Sequence, residues 1–190
     1  MRFKTFLLVV FLFISPTIYA AEKILVVGDS ISASYGLETK QGWVNLLQQR
    51  LKKSGYDYEV INASISGDTT SNGLTRLSAA LKQHQPKITI IELGANDGLR
   101  GLPIQTIEDN LAAMIKAAQQ AKSKVLLLGI RIPLNYGQAY RQKLEAIYPK
   151  LAQKHHTALV PLVLNGIDNQ DKLLQADGLH PTAAAQAILL

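Results

Sequence analysis

The stretch Ile24-Leu-Val-Val-Gly-Asp-Ser30 decides how this chain folds. Its apolar part, from Lys23 to Val27, predicts a strand that is buried on both faces, as in a parallel sheet. The strand ends abruptly in a polar turn that carries Ser30, and open α/β sheets bind their ligands at the carboxyl ends of such strands. Ser30 is therefore a candidate nucleophile. In the alternative interpretation, Gly28-Asp-Ser30 is an ordinary turn whose residues cap a helix.

Strands and helices alternate along the remainder of the chain. Four further strands are predicted at residues 59–61, 87–93, 124–130 and 158–164, and apolar residues recur at helical spacing between them. One connecting helix is predicted to start at Thr106, with Asp109 as its capping acid, and a final helix from about Thr182. This alternation predicts one α/β domain, a three-layer sandwich in which helices cover both faces of a five-stranded parallel sheet.

Residues 1–20 have the layout of a secretory signal peptide. Arg2 and Lys4 precede an apolar run, residues 6–14, and Ala20 offers a small residue at the expected cleavage point. The run is too short for a comfortable membrane span, although an uncleaved anchor is the alternative. We therefore expect a mature domain of residues 21–190 that is exported, with a periplasmic location, and that keeps no stable membrane anchor.

Composition excludes several classes of function. The formal net charge is +6, but the 20 lysine and arginine residues are scattered without aromatic partners, which argues against a nucleic-acid partner. The chain has no cysteine, so its stability must come from its core rather than from disulfides. No Gly-x-Gly-x-x-Gly follows the first strand, and no cluster has the spacing of metal ligands. These observations argue against functions that depend on nucleic acid, a dinucleotide or a bound metal.

Asp177 and His180 form a second pair of interest. Three residues apart, with Gly178 between them, they can share one turn, in which the carboxylate holds imidazole Nδ1–H while Nε2 points outward. Such a histidine could accept the proton of Ser30, which is weakly nucleophilic without a base. In the alternative interpretation, Asp177 caps the last helix and His180 is an exposed loop residue.

Acyl transfer also requires hydrogen-bond donors for a developing oxyanion. Gly67 can expose its backbone N–H because it lacks a Cβ, and Asn96 can offer its side-chain amide. Both follow predicted strands, as Ser30 does, so all of these groups should gather at one edge of the sheet. Taken singly, each of the two is also a common turn residue.

These residues stand in four ordered blocks that resemble those of the SGNH hydrolases, also called GDSL esterases and lipases. The blocks are Gly28-Asp-Ser-Ile-Ser32, Gly67 within 62–69, Gly94-Ala-Asn-Asp97, and the pair Asp177 and His180. The likeness spans the whole mature chain, and it is greatest to the bacterial multifunctional thioesterase/lysophospholipase/arylesterase subgroup. Such chains usually carry a longer final helix than the residues from Thr182 provide.

The resemblance implies a role for each of these residues. Ser30 would be the nucleophile, His180 the base and Asp177 its orienting partner, while the Ser30 and Gly67 N–H groups and the Asn96 side chain would form the oxyanion hole. It also implies a flavodoxin-like fold with no metal and no organic cofactor. The expected activity is hydrolysis of small acyl esters and thioesters by a monomer or weak oligomer.

Apolar residues near the strand ends suit an acyl chain better than a sugar. The predicted substrate-binding residues are Ile65, Leu99, Leu102, Ile132, Pro133, Leu134 and Tyr136. Arg100 or Arg131 could meet a phosphate or carboxylate head group, although the apolar residues could also simply pack the loops. Two other functions remain open here, a carbohydrate O-acetyl esterase and a non-catalytic acyl- or lipid-binding protein.

Overall fold

The first strand, β1 (Glu22–Gly28), has its last five residues buried and pairs with a parallel strand on each side. In the computed structural model, which describes residues 21–168 and 170–190, β1 is therefore interior to the sheet. A continuous apolar run is the pattern that a parallel strand covered on both faces requires. The predicted signal peptide, residues 1–20, lies outside the described residues.

All five strands of the sheet are parallel, in the order β2-β1-β3-β4-β5. The other four are β2 (Tyr58–Asn62), β3 (Ile88–Glu92), β4 (Lys124–Leu128) and β5 (Ala158–Val160). The predicted five-stranded parallel α/β fold is confirmed. Because the chain goes from β1 to β2 on one side and then crosses to β3 on the other, the order reverses at β1.

Among the described residues, six α-helices connect or follow these strands. They are α1 (Trp43–Lys53), α2 (Thr70–His84), α3 (Ala95–Leu99), α4 (Ile104–Gln120), α5 (Gln138–His155) and α6 (Gln186–Leu189). Helix α4 packs between α2 and α5, whereas α1 packs against α6. Right-handed crossovers from a reversing strand order place these two groups on opposite faces of the sheet. No helix in the described part of the chain has the length and apolar character needed to cross a membrane.

Two predicted element boundaries are wrong. Strand β5 ends at Val160 rather than near residue 164, because the Gly129 carbonyl accepts from the Val163 N–H, one residue later than the regular parallel register requires. Helix α4 begins at Ile104, with Pro103 at its cap, so Thr106 lies inside the first turn. Proline fixes its own φ near the helical value and therefore starts the helix earlier than the capping pattern indicated. The final segment is also less helical than predicted, since Ala183–Ala185 is a 3-10 turn.

The core lies on both sides of the sheet. Leu25, Ile91 and Leu127 of neighbouring strands are fully buried, and helix residues such as Leu77 and Leu111 close over them. Burying a large aliphatic side chain contributes about 1.5–3 kcal/mol, so this layer holds the strands in a fixed register. The loops at the carboxyl ends of the strands, next to the reversal at β1, are thereby fixed on a rigid support.

Candidate active site

Ser30 lies in a tight turn directly after β1. The Ala33 N–H donates to the Asp29 carbonyl at 2.9 Å, and the Tyr35 N–H donates to the Ser30 carbonyl at 3.0 Å. The Asp29 carboxylate accepts from the Ile31 N–H at 3.1 Å. These local bonds wind the chain immediately after the strand, which leaves the half-buried Ser30 side chain at the carboxyl edge of the sheet.

His180 and Asp177 share one turn at the other end of the chain. One Asp177 oxygen accepts from the backbone N–H groups of Leu179 and His180, at 2.9 and 3.0 Å. The second oxygen lies 2.6 Å from His180 Nδ1. With Nδ1–H directed at the carboxylate, Nε2 of a neutral ring is an unprotonated acceptor.

This acceptor faces the serine. His180 Nε2 lies 2.8 Å from Ser30 Oγ, although the two residues are 150 positions apart in the chain. That distance is within normal hydrogen-bond reach, so the serine hydroxyl can donate to the imidazole. The alternative, in which His180 is merely an exposed loop residue, is inconsistent with this contact.

The Asp177 carboxyl is tuned to stay ionised. Partial burial acts to raise its pKa, but the His180 and Leu179 N–H groups and the imidazole outweigh burial and lower the pKa to about 2. A carboxylate that accepts several N–H bonds favours its charged form. Asp177 can therefore hold the imidazole in one tautomer and stabilise a positive charge on it.

Gly67 and Asn96 lie beside Ser30 in the same cavity. Gly67 has a φ of +85°, in the left-handed region that favours glycine. The N–H groups of Ser30 and Gly67 have no acceptor among the described residues, so both are available to an incoming oxygen atom. The Asn96 amide nitrogen is held between the Asp68 carbonyl at 3.0 Å and the Asp29 carboxylate at 3.3 Å. All three residues with predicted donors thus line the same cavity.

Behind this site lies a buried pair of carboxyl groups, Asp29 and Glu92, which are both inaccessible to solvent. Glu92 accepts from the Ser32 hydroxyl at 2.7 Å and, at 3.4 Å, from the Asp29 N–H. Burial raises the pKa of Asp29 to about 6, and burial together with the Asp29 charge raises the pKa of Glu92 well above its usual range. Sequence reasoning missed Glu92, which looks like an ordinary strand end.

A cavity of about 470 Å³ opens beside Ser30. Apolar residues of its wall include Leu99, Ile130, Ile132, Pro133, Leu134, Val163 and Leu164. Four of these were predicted, whereas Ile130, Val163 and Leu164 were assigned to strands and were missed. Tyr35 was also missed, and its ring packs on the His180 imidazole with centroids 4.5 Å apart. Its position only five residues after Ser30, in the same loop, was the available signal.

Three predicted substrate-binding residues do not line this cavity. Leu102 packs against the core, and Ile65 and Tyr136 are exposed outside the cavity wall. They lie outside it because following a strand end does not determine the direction in which a loop side chain points. Ile65 precedes the turn that presents Gly67, and Tyr136 belongs to a 3-10 turn that faces solvent.

The two candidate head-group arginines are both engaged with the protein. Arg131 lies 3.1 Å from Glu145 and 3.2 Å from Asp168, and Glu145 in turn pairs with Arg141 at 2.8 Å. The charge of Arg131 is thus already matched at the cavity wall, which contradicts a role in binding a phosphate. Arg100 donates to the Gly67 carbonyl at 3.0 Å and so ties α3 to the Gly67 loop. Within residues 21–168 and 170–190, no group of three or more histidines and carboxylates could hold a metal ion.

Fold and site together define a serine hydrolase of the α/β class. The sequence profile of the GDSL-like Lipase/Acylhydrolase family matches residues 26–188, which is most of the chain. The chain therefore belongs to the GDSL-like lipase/acylhydrolase family, as its four motif blocks predicted, and it is an enzyme. This membership decides against a non-catalytic binding protein.

Two relatives and a solved structure agree with this assignment. The chain is 53% identical over 171 residues to "Esterase TesA" of Pseudomonas aeruginosa, covering 90% of this chain and 85% of that protein. It is 41% identical over 170 residues to "Thioesterase 1/protease 1/lysophospholipase L1" of Escherichia coli, covering 90% and 80%. The crystal structure of TesA superposes with a TM-score of 0.87 at 52% identity, covering 89% of this chain and 94% of the other.

Proposed function

We propose that the enzyme hydrolyses acyl esters and thioesters, including aryl esters and lysophospholipids, through an acyl-enzyme on Ser30. The observation that carries the proposal is the 2.8 Å contact between Ser30 Oγ and His180 Nε2, with Asp177 on the other ring nitrogen. A hydroxyl, a base and an orienting carboxylate in this arrangement are what acyl transfer to serine needs.

In the first half-reaction, His180 accepts the Ser30 proton while Ser30 Oγ attacks the carbonyl carbon of the substrate. The carbonyl oxygen becomes an oxyanion and accepts hydrogen bonds from the N–H groups of Ser30 and Gly67 and from the Asn96 amide. His180 then gives its proton to the leaving alcohol or thiol. The Asn96 amide nitrogen already donates to two protein oxygens, so an oxyanion must displace one of them. The bond to Asp29 is the longer and therefore the weaker of the two, and it is the one that the oxyanion replaces.

In the second half-reaction, water takes the place of the leaving group. His180 accepts a proton from this water, and the resulting hydroxide attacks the acyl carbon. The same three donors stabilise the second oxyanion, and each such donor typically contributes about 3–4 kcal/mol. Collapse returns the proton to Ser30 and releases the carboxylic acid, which leaves the enzyme unchanged.

The cavity supports an acyl chain as the recognised part of the substrate. Its volume lies in the usual range for small-molecule sites, and its wall next to Ser30 is apolar. The names of the relatives, an esterase and a thioesterase/lysophospholipase, support the same class of substrate. A carbohydrate O-acetyl esterase would need to bind polar sugar hydroxyls, for which this apolar wall is unsuited. We therefore expect a higher kcat/KM for medium-chain p-nitrophenyl esters than for acetylated sugars.

Substitution of the serine tests the mechanism. Ser30→Ala should lower kcat for a p-nitrophenyl ester by more than about 10⁴-fold, and a fluorophosphonate should no longer label the protein. Ser78→Ala, which changes an exposed serine on α2, is the matched control and should keep full activity. Mass spectrometry of the labelled wild-type enzyme should locate the adduct on Ser30. Wild-type turnover by Ser30→Ala would refute the proposal.

We also propose that residues 1–20 direct export to the periplasm and are removed. The basic start, the apolar run of residues 6–14 and the small residue Ala20 support this proposal. The released domain is expected to be a monomer or weak oligomer without a membrane anchor. Amino-terminal sequencing of the enzyme from a periplasmic fraction should begin at Ala21. Retention of Met1 in a membrane fraction would contradict the proposal.

A further inference from the structure

The contact between Ser30 and His180 joins two chain segments that are 150 residues apart in the sequence. We call residues 30–36 the nucleophile turn and residues 174–181 the histidine turn. Asp177 and His180 belong to one segment, in which the Asp177 carboxylate makes two hydrogen bonds with His180 and accepts a third from the Leu179 N–H. Ser30 belongs to the other, so its distance from His180 depends on whatever fixes one turn against the other.

Gln175 makes the bonds that cross this gap. Its side-chain amide nitrogen donates to the Tyr35 carbonyl at 2.8 Å, in the nucleophile turn, and to the Pro181 carbonyl at 3.1 Å, in the histidine turn. Its backbone N–H donates to the His180 carbonyl at 2.7 Å. One residue is thus bonded both to the segment that carries the base and to the segment that carries the nucleophile.

The nucleophile turn is shaped to receive this amide. Gly36 has a φ of +73°, and a Cβ at this position would lie 2.2 Å from the Gln175 side-chain oxygen. The Tyr35 N–H donates to the Ser30 carbonyl, so a displacement of the Tyr35 backbone also displaces Ser30. The Tyr35 ring packs on the His180 imidazole and covers the solvent side of the contact between the two turns.

We propose that Gln175 is a positioning residue, whose amide holds the histidine turn at the distance from which His180 can take the Ser30 proton. This inference rests on the proposed function, because it assigns Gln175 an effect on that proton transfer and none on the reacting atoms. Misplacement of reacting groups by about 1 Å can lower the rate by about 100-fold, so the loss of one positioning amide can lower kcat substantially.

Two substitutions of the full-length enzyme test the proposal. Gln175→Ala removes the amide, and Gln175→Glu keeps its shape but presents a carboxylate to the Tyr35 and Pro181 carbonyls. Both should lower kcat for a p-nitrophenyl ester and the rate of fluorophosphonate labelling by about 10- to 100-fold, with KM changed by less than about threefold. Gln119→Ala is the matched control, since that amide donates to the His155 carbonyl between α4 and α5, and its rates should equal those of wild type.

A proton NMR measurement separates positioning from structural damage. The low-field signal of the His180 Nδ1 proton should persist in both Gln175 variants, because the bond to Asp177 lies within the histidine turn. Wild-type labelling rates in both variants would overturn the proposal, as would a rise in KM alone. Loss of the Nδ1 signal or of cooperative unfolding would also overturn it, because Gln175 would then build the turn rather than space it. Failure of the wild-type enzyme to label at Ser30 would instead refute the proposed function.

Discussion

Two aspartates flank the Ser30–His180 contact, and their carboxyl groups behave in opposite ways. Asp29 is completely buried, and burial raises its pKa to about 6. The Asp177 side chain is 38% exposed, and in spite of partial burial its N–H donors and the imidazole lower its pKa to about 2. The same chemical group is thus close to neutralisation on one side of the site and firmly ionised on the other.

The comparison shows that sequence proximity to a nucleophile does not assign a catalytic role. Asp29 directly precedes Ser30 in the chain. Its carboxylate oxygens nevertheless accept from the Ile31 N–H and the Asn96 amide rather than from the imidazole. Asp177 is 147 positions from Ser30 and is the residue whose carboxylate contacts the His180 ring. Asp29 therefore supports the nucleophile turn and the Asn96 amide, whereas Asp177 has the contact that the proposed mechanism requires for orienting the base.

The largest effect expected from this comparison is that of Asp177→Asn. The amide cannot stabilise a positive imidazole, and it favours the wrong tautomer, so kcat should fall by about 10³- to 10⁴-fold. The measurement is steady-state hydrolysis of a p-nitrophenyl ester at pH 8, with circular dichroism to confirm folding. A loss of less than about tenfold would make the two aspartates equivalent and break the comparison.

A smaller effect is expected from Asp29→Asn. The new amide keeps the size of the side chain but puts an NH₂ group where one carboxylate oxygen accepts from the Ile31 N–H or the Asn96 amide. The turn that carries Ser30 and the Asn96 side chain should therefore shift, and kcat should fall by about 10- to 100-fold. KM should change little, because the apolar wall of the cavity is untouched. A loss as large as that of Asp177→Asn would show that the carboxylate behind Ser30, and not the exposed one, governs catalysis.

The smallest effect concerns stability rather than rate. The folded-state pKa of Asp29, about 6, lies above its usual value of 3.8, so folding favours the protonated carboxyl. The resulting stabilisation is complete below about pH 4 and is lost as the pH rises through 6, and at about 1.4 kcal/mol per pKa unit it amounts to about 3 kcal/mol. Glu92, whose pKa is also raised, acts in the same direction. Asp177 acts oppositely but only below pH 4, since its lowered pKa costs stability as the pH falls toward 2.

Glu92→Gln should therefore flatten the pH dependence of stability. The glutamine cannot ionise beside Asp29, so the difference in unfolding free energy, variant minus wild type, should rise by about 1–3 kcal/mol between pH 4 and pH 8. Urea unfolding at several pH values measures this difference. Glu38→Gln, on the exposed surface, should show no such trend. Parallel curves for Glu92→Gln and wild type would show that the buried pair is not coupled to folding.

Much of the fold and the grouping of the site residues could be predicted from the sequence, because both follow from one periodicity. Apolar strands that alternate with helices force a parallel sheet, and a parallel sheet brings every strand end to one edge. Ser30, Gly67, Asn96 and His180 could be expected to meet there for this reason. The end of β5 could not be predicted, because the apolar run continues past Val160 whereas the regular pairing with β4 does not.

The remainder of the site depends on tertiary contacts that no local pattern encodes. Glu92 ends a strand like any polar residue, and only the register that aligns it with Gly28 places it behind Ser30. Arg131 looks free in the sequence, but the fold brings Glu145 and Asp168 to it from elements 14 and 37 residues away. Gln175 is likewise unremarkable until the two turns are seen side by side.

The 150-residue separation of Ser30 and His180 also has a consequence for biosynthesis. During synthesis the serine leaves the ribosome 150 residues before the imidazole. Under the proposed mechanism, a nascent or prematurely terminated product that stops before His180 carries a hydroxyl with no base to activate it. Such a product should therefore not hydrolyse esters.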